Sequence, residues 1–120
     1  MKIREMSLLP DAHADLLCYL VAAAVATYSL TGDWRVDRVV ISCRSWLSSN
    51  RLSLPWLDRV RLGQLALKIA RRDLRASGIA SKQADVQGFF TRDMKLNSGS
   101  MVVQRMLEVC RHALEDYRFA

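Results

Sequence analysis

The longest apolar stretch of the chain lies near its N-terminus, where nearly every residue from 16 to 25 is hydrophobic. Pro10 and Asp11 precede this stretch and Gly32 follows it, which is the usual punctuation at the two ends of a helix. A helix that is apolar on every side is typical of the centre of a helical bundle. We therefore predict a central helix that opens at Pro10-Asp11, has Asp11 as its N-cap and ends around Leu30.

A second helix is predicted from apolar residues that recur at i, i+3, i+4 and i+7 after the break at Gly32-Asp33. The polar residues 48–50 end this pattern. Residues 39–41 are all β-branched and favour strands in other contexts, so a strand is the alternative for this segment. The periodic residues are Val36, Val39, Val40, Cys43, Trp46 and Leu47.

The rest of the chain shows two long amphipathic patterns and one short one. Pro55 suits the first turn of a third helix, which we expect over residues 54–76. A short helix over residues 81–91 follows, and then a mobile loop over residues 92–100. A last helix is predicted over residues 100–118, because its apolar positions form one stripe opposite a polar face.

Composition favours an all-α fold in a single domain. A chain of 120 residues is long enough for one hydrophobic core and too short for two ordinary domains. The 51% share of hydrophobic residues excludes general disorder, and five Gly with two Pro are too few turn formers for a β-sandwich or barrel. We predict one compact bundle of about five helices over residues 1–120, with the apolar first helix at its centre.

Three cysteines, Cys18, Cys43 and Cys110, are widely spaced and form no CxxC pair. This spacing argues against a disulfide framework and against a zinc finger, and we expect buried thiols in a protein of the reducing cytoplasm. His13 and His112 lie in no recognisable catalytic pattern. We therefore predict no enzyme activity, no metal site and no cofactor.

Two local features have ordinary structural explanations. His112 has Glu108 and Asp116 four residues to either side, so surface ion pairing accounts for it. The basic N-terminus followed by an apolar run is reminiscent of a signal peptide, but acidic residues separate the two. The weakly polar residues 16–30 also fall short of the ~20 that cross a bilayer. We expect a buried helix and no membrane association.

The positive charge of the chain is concentrated in one region. The net charge is +6, and residues 59–95 alone hold nine basic residues against three acidic ones. Arginine is preferred over lysine by fourteen to four, and a guanidinium binds phosphate through two parallel hydrogen bonds. On a helical wheel, five of the basic residues of the third helix fall within an arc of about 100°. These five are Arg61, Lys68, Arg71, Arg72 and Arg75.

This cationic edge predicts contact with the phosphate backbone of RNA or DNA at low sequence specificity, supported by Lys82, Arg92 and Lys95. A solvated helix face is the alternative explanation of the same charges. Size, helicity and charge are those expected of a non-catalytic small subunit of a ribonucleoprotein assembly, such as a CRISPR effector complex, by analogy of shape and charge.

Two other functions use the same residues. One is a protein-interaction adaptor or inhibitor whose basic edge meets an acidic partner, and the other is a helix-turn-helix-like DNA-binding regulator. The tryptophans and phenylalanines are expected to pack mainly in the core. Contacts with other protein subunits are predicted at Ile41, Leu52, Leu54 and Trp56.

Overall fold

The structure is a computed structural model that describes residues 4–5, 10–74 and 88–117. The described residues form four α-helices: α1 (Pro10–Thr31), α2 (Val36–Ser49), α3 (Trp56–Lys68) and α4 (Met101–Leu114). A π-helix (Ile69–Asp73) continues α3. The predicted all-α fold is confirmed, but the described part of the chain has four helices where about five were expected. Most of the predicted helix over 81–91 lies outside the described residues, and residues 88–91 form a turn and a bridge, so its expected end is wrong.

Helix α1 occupies the centre of the bundle, as its composition predicts. It packs against α2, α3, the π-helix and α4. The helix begins at Pro10, whose fixed φ suits a first helical position, so Asp11 lies inside the first turn and does not cap it. Gly32 ends the helix in the left-handed conformation at φ 74°, and its N–H donates to the Tyr28 carbonyl at 2.7 Å. Its fully buried residues include Leu16, Leu17, Cys18, Leu20, Val21 and Val25.

Helix α1 is also long and apolar enough to cross a membrane, because Ala12–Thr31 is a 20-residue segment of the required hydropathy. The expectation that this helix is too short to span a bilayer is therefore wrong. Its burial against the other three helices accounts for the same composition, since a central helix must be apolar on all sides.

Helix α2 is helical across the β-branched residues 39–41, so the strand alternative is wrong. Val39 is buried against the core, whereas Val40 and Ile41 are exposed, because a helix turns by 100° per residue. After the helix, Arg51 adopts a left-handed φ of 54° and redirects the chain. A short strand β2 (Leu52–Ser53) then pairs in parallel with β1 (Arg4–Glu5), a contact that the sequence pattern does not predict.

Helix α3 begins at Trp56, immediately after Pro55, and keeps α-helical hydrogen bonding to Lys68. After Lys68 the chain continues as the π-helix, in which the Leu74 N–H donates to the Ile69 carbonyl five residues earlier. The prediction of one regular α-helix over 54–76 is thus wrong at its start and in its winding. Residues 75 and 76 lie outside the described part.

Helix α4 starts where expected and ends early. The Ser100 hydroxyl caps it by accepting from the Val103 N–H at 3.5 Å. The helix stops at Leu114, short of the predicted residue 118, and a turn follows. The preceding segment is non-helical, as predicted, and is closed by bonds such as Asn97 N–H to the Phe89 carbonyl at 2.9 Å.

Candidate nucleic-acid interface

An open pocket of about 610 Å³ lies beside the junction of α3 and the π-helix. We call it the cationic pocket. Its basic residues are Lys68, the last residue of α3, and Arg71 and Arg72 of the π-helix. The helical winding brings these side chains together over less than two turns. The described residues that line the pocket are Trp34, Gln64, Leu67, Lys68, Arg71 and Arg72.

The three cations of the pocket are exposed and hold no intramolecular partner in the part of the chain that the structure describes. Arginines elsewhere do form ion pairs, for example Arg35 with Asp37 at 2.8 Å. A guanidinium without a carboxylate partner keeps its donors available for an external anion. The pocket is therefore a concentrated, unneutralised positive site.

An aromatic side chain forms one wall of the cationic pocket. Trp34 lies in the short connection between α1 and α2, and its ring stacks on Tyr28 with centroids 4.2 Å apart and planes 10° from parallel. Trp34 is half-buried, so part of its surface faces the pocket. Trp34 also packs against the hydrophobic core, as expected, but its place in this pocket was not predicted. The available signal was its position in a connection, outside any amphipathic stripe.

The other predicted binding residues do not join this pocket. Arg61 is half-buried, and its guanidinium carbon lies 5.0 Å from the centroid of the Tyr117 ring. Arg92 and Lys95 are exposed on the turn before α4, and neither lines the pocket. Arg75 and Lys82 lie outside the described residues. The predicted cationic edge from 61 to 75 is thus wrong at its first residue, because Arg61 is engaged by an aromatic ring.

Arg61 belongs to a second group of polar residues, which we call the buried polar cluster: His13, Asp58, Arg61 and Tyr117. His13 is 7% exposed and Asp58 is 2% exposed, at the starts of α1 and α3. Burial lowers the pKa of His13, and the Asp58 carboxylate opposes that effect. Burial raises the pKa of Tyr117, which Arg61 opposes and Asp58 reinforces. These groups interact electrostatically across three segments of the fold.

The buried polar cluster has the composition of a catalytic site, but its surroundings favour a structural role. A histidine beside a carboxylate can act as a general base when a substrate reaches it. Neither His13 nor Asp58 lines the cationic pocket, and both are almost fully buried. Buried charges that are paired across elements instead fix the arrangement of those elements.

The cysteines are buried, as predicted, and the surroundings of Cys43 and Cys110 disfavour thiolates. Burial raises the pKa of Cys43 to about 11. A hydrogen bond with Cys18, followed by burial, raises the pKa of Cys110 far above its usual range. Both thiols are therefore neutral at physiological pH and behave as small apolar side chains.

His112 forms a surface ion pair, as predicted, but its partner differs from the two that were expected. Its Nδ1 lies 3.3 Å from a carboxylate oxygen of Glu115, so it pairs with neither Glu108 nor Asp116. The described residues hold no group of three potential metal ligands.

The predicted protein-contact residues are divided by the fold. Ile41 and Trp56 are 52% and 64% exposed, Leu52 is half-buried, and Leu54 is 1% exposed. Leu54 is a core residue, so its assignment to a contact surface is wrong.

No protein-family model, curated protein or solved structure matches this chain. Function is therefore inferred from the chemistry of the cationic pocket and of the buried polar cluster.

Proposed function

We propose that the protein binds single-stranded nucleic acid through the cationic pocket, with low sequence specificity and without catalysis. The observation that carries this proposal is the juxtaposition of three exposed, unpaired cations with the ring of Trp34. On this proposal the protein is a cytoplasmic small subunit of a ribonucleoprotein assembly. Other subunits would contact it on a separate surface.

The cations supply the affinity for the phosphate backbone. Lys68, Arg71 and Arg72 lie within five consecutive residues, so their charged groups can reach neighbouring phosphates. Each phosphate that a cation neutralises releases a condensed counterion, and binding therefore weakens as salt rises. Gln64 adds an amide that can donate or accept a hydrogen bond at the same site.

Trp34 favours a single strand over a duplex. Bases of a single strand can stack on an aromatic ring, which contributes about 1–3 kcal/mol per base and tolerates any sequence. Bases of a duplex are already stacked on one another. The contact with Tyr28 holds the indole in place, so little side-chain entropy is lost when a base packs against its accessible surface.

The decisive experiment compares two variants that each lose two arginines. Arg71→Ala/Arg72→Ala removes two pocket cations, whereas Arg38→Ala/Arg111→Ala removes two exposed cations from α2 and α4. Binding of fluorescent oligothymidine and oligouridine is measured by anisotropy over a range of salt. We expect the pocket variant to lose about 1.4 from the slope of log K against log salt, at about 0.7 per phosphate contact. Equal behaviour of the two variants would contradict the proposal.

Trp34 is tested separately with Trp34→Leu. We expect about a ten-fold loss of single-strand affinity, which corresponds to about 1.4 kcal/mol. Duplex of the same length should compete weakly with the wild type. A preference of the wild type for one duplex sequence would favour the helix-turn-helix-like regulator instead.

A protein adaptor that binds an acidic partner is the second candidate function. The observation that favours it is a group of large apolar side chains exposed on α2 and at the start of α3. These apolar side chains form a surface that is separate from the cationic pocket.

A further inference from the structure

A second pocket, of about 320 Å³, lies between α2 and α3. We call it the α2–α3 groove. Trp34, just before α2, lies beside the end of α3. Arg44, in the second half of α2, lies beside Trp56 at the start of α3. The two helices therefore run in opposite directions. Two antiparallel helices leave a straight channel between them. The described residues that line it are Val40, Cys43, Arg44, Trp56, Arg59 and Val60.

The apolar surface extends beyond the groove itself. Next to its lining residues, Ile41 and Leu57 are 52% and 55% exposed, and Val36 is also exposed one turn before Val40. Val36, Val40 and Arg44 follow one stripe of α2, because successive members are four residues apart. Large apolar side chains gathered on one face of a soluble protein mark an interaction surface.

The charges at the groove are positive. Arg44 is exposed and holds no hydrogen bond or ion pair in the described part of the chain. The Arg59 Nε donates to the Leu54 carbonyl at 2.6 Å, which fixes the guanidinium at the edge of the groove. No carboxylate is among the described residues that line it. A partner that fills the groove must therefore bring negative charge to its edges.

We propose that the α2–α3 groove binds an acidic amphipathic helix of a partner protein. An apolar side chain of that helix enters between Val40 and Val60, and flanking carboxylates meet Arg44 and Arg59. Helices dock into such grooves through apolar residues at i, i+3 or i+4 and i+7. The stripe from Val36 to Arg44 is about 12 Å long at 1.5 Å per residue, which matches two turns of a docked helix.

Two other occupants fit this surface less well. A second copy of the chain, docked groove to groove by two-fold symmetry, would bring two further arginines to a surface that already holds Arg44 and Arg59, and like charges disfavour that contact. Nucleic acid could stack on Trp56 and meet the two arginines, but the rest of the groove consists of aliphatic side chains and the neutral Cys43 thiol. Such a lining leaves the polar edges of a base without hydrogen-bond partners.

Synthetic peptides test this proposal without a known partner. The probe is a helix-forming peptide of about 18 residues with leucines at i, i+3 and i+7 and glutamates beside them. One control peptide carries lysines for the glutamates, and the other carries serines for the leucines. The peptides lack tryptophan, so titration is followed by the combined emission of the three tryptophans of the protein and by calorimetry, and calorimetry alone serves for variants that lack Trp56. We expect the glutamate peptide to bind with a Kd below about 1 mM and at least about ten-fold more tightly than either control.

Matched variants locate the binding surface. Val40→Ser/Trp56→Ser should weaken the glutamate peptide at least about ten-fold, whereas Leu30→Ser/Met101→Ser, which also removes two exposed apolar side chains, should not. Arg44→Glu should weaken it more than Arg38→Glu, a change of the same charge on α2 that lies outside the groove. Circular dichroism and thermal unfolding show which variants keep the wild-type fold.

Several outcomes would overturn the proposal. They are equal binding of the glutamate and lysine peptides, no binding of the glutamate peptide, and a dimer that Val40→Ser/Trp56→Ser abolishes. A loss of oligonucleotide affinity in Arg44→Glu that exceeds the loss in Arg38→Glu would assign the groove to nucleic acid instead. Failure of the cationic pocket appears in the variants of Trp34, Lys68, Arg71 and Arg72, none of which lines the groove, so the two proposals fail separately.

Discussion

The two ends of the segment formed by α3 and the π-helix use charged residues in opposite ways. At the start, Asp58 is buried and Arg61 is half-buried, in the cluster that joins them to His13 and Tyr117. At the end, the cations of the pocket are exposed and hold no partner in the described residues. Removing a charge from water is costly unless other groups replace the lost hydration.

This difference separates charges that stabilise the fold from charges that are free to bind. A buried charge is retained only where the surrounding protein compensates it, so its loss should be felt as instability. An exposed charge contributes little to stability, so its loss should be felt only by a ligand. The predictions below test this division from the largest expected effect to the smallest.

The largest effect is expected for Asp58→Asn. This change keeps the shape of the side chain and removes a buried charge, which we expect to lower the free energy of unfolding by about 3 kcal/mol. Urea denaturation followed by circular dichroism measures it. Arg71→Ala/Arg72→Ala should stay within about 0.5 kcal/mol of the wild type. A loss below about 1 kcal/mol for Asp58→Asn would mean that the carboxylate is not a structural charge.

Two single substitutions on α3, Arg61→Met and Lys68→Met, test most directly whether a charge stabilises the fold or binds a ligand. Arg61→Met keeps a long apolar stem but loses the contact of the guanidinium with the Tyr117 ring, so we expect a loss of about 1 kcal/mol of stability. Its affinity for oligothymidine should remain within about two-fold of the wild type.

Lys68→Met should show the opposite behaviour. Its stability should be unchanged within about 0.5 kcal/mol, and the salt slope of oligothymidine binding should fall by about 0.7. If Arg61→Met instead lowers affinity as much as Lys68→Met, the two ends of the segment form one binding edge.

The smallest effect is expected for the pH dependence that His13 confers. Burial holds the pKa of His13 below its ordinary value of 6.5, so the unfolded chain binds a proton more readily than the folded protein. Stability should therefore be highest above pH 6.5 and fall as the pH drops below it, toward the lowered pKa of the folded state. His13→Gln should reduce this dependence. The control His112→Gln, at an exposed position, should leave it unchanged. A pH dependence that His13→Gln leaves intact would assign it to other groups.

The sequence predicted most of what depends on residues close together in the chain. The limits of α2 and the end of α1 at Gly32 follow from local turn chemistry. The site was predicted only in part. Lys68, Arg71 and Arg72 were recognised from helical spacing, whereas the place of Trp34 beside them was not, because it lies more than thirty residues before them in the chain.

The fate of Arg61 shows why a helical wheel overestimates a charged edge. The wheel places Arg61 on the same side of α3 as Lys68, but it contains no information about Tyr117, which follows α4. It also assumes uniform winding, whereas the π-helix changes the angle between successive residues at Ile69.

The sequence alone determined that this chain buries one all-apolar helix and presents an excess of arginine, because hydrophobicity and charge belong to the residues themselves. Only the tertiary structure decided which charges face water. That choice depends on side chains contributed by distant segments, such as Tyr117 over Arg61 and Trp34 beside Lys68. Packing selects among the arrangements that local periodicity permits, and this selection turned one row of basic residues into a structural cluster and a candidate binding site.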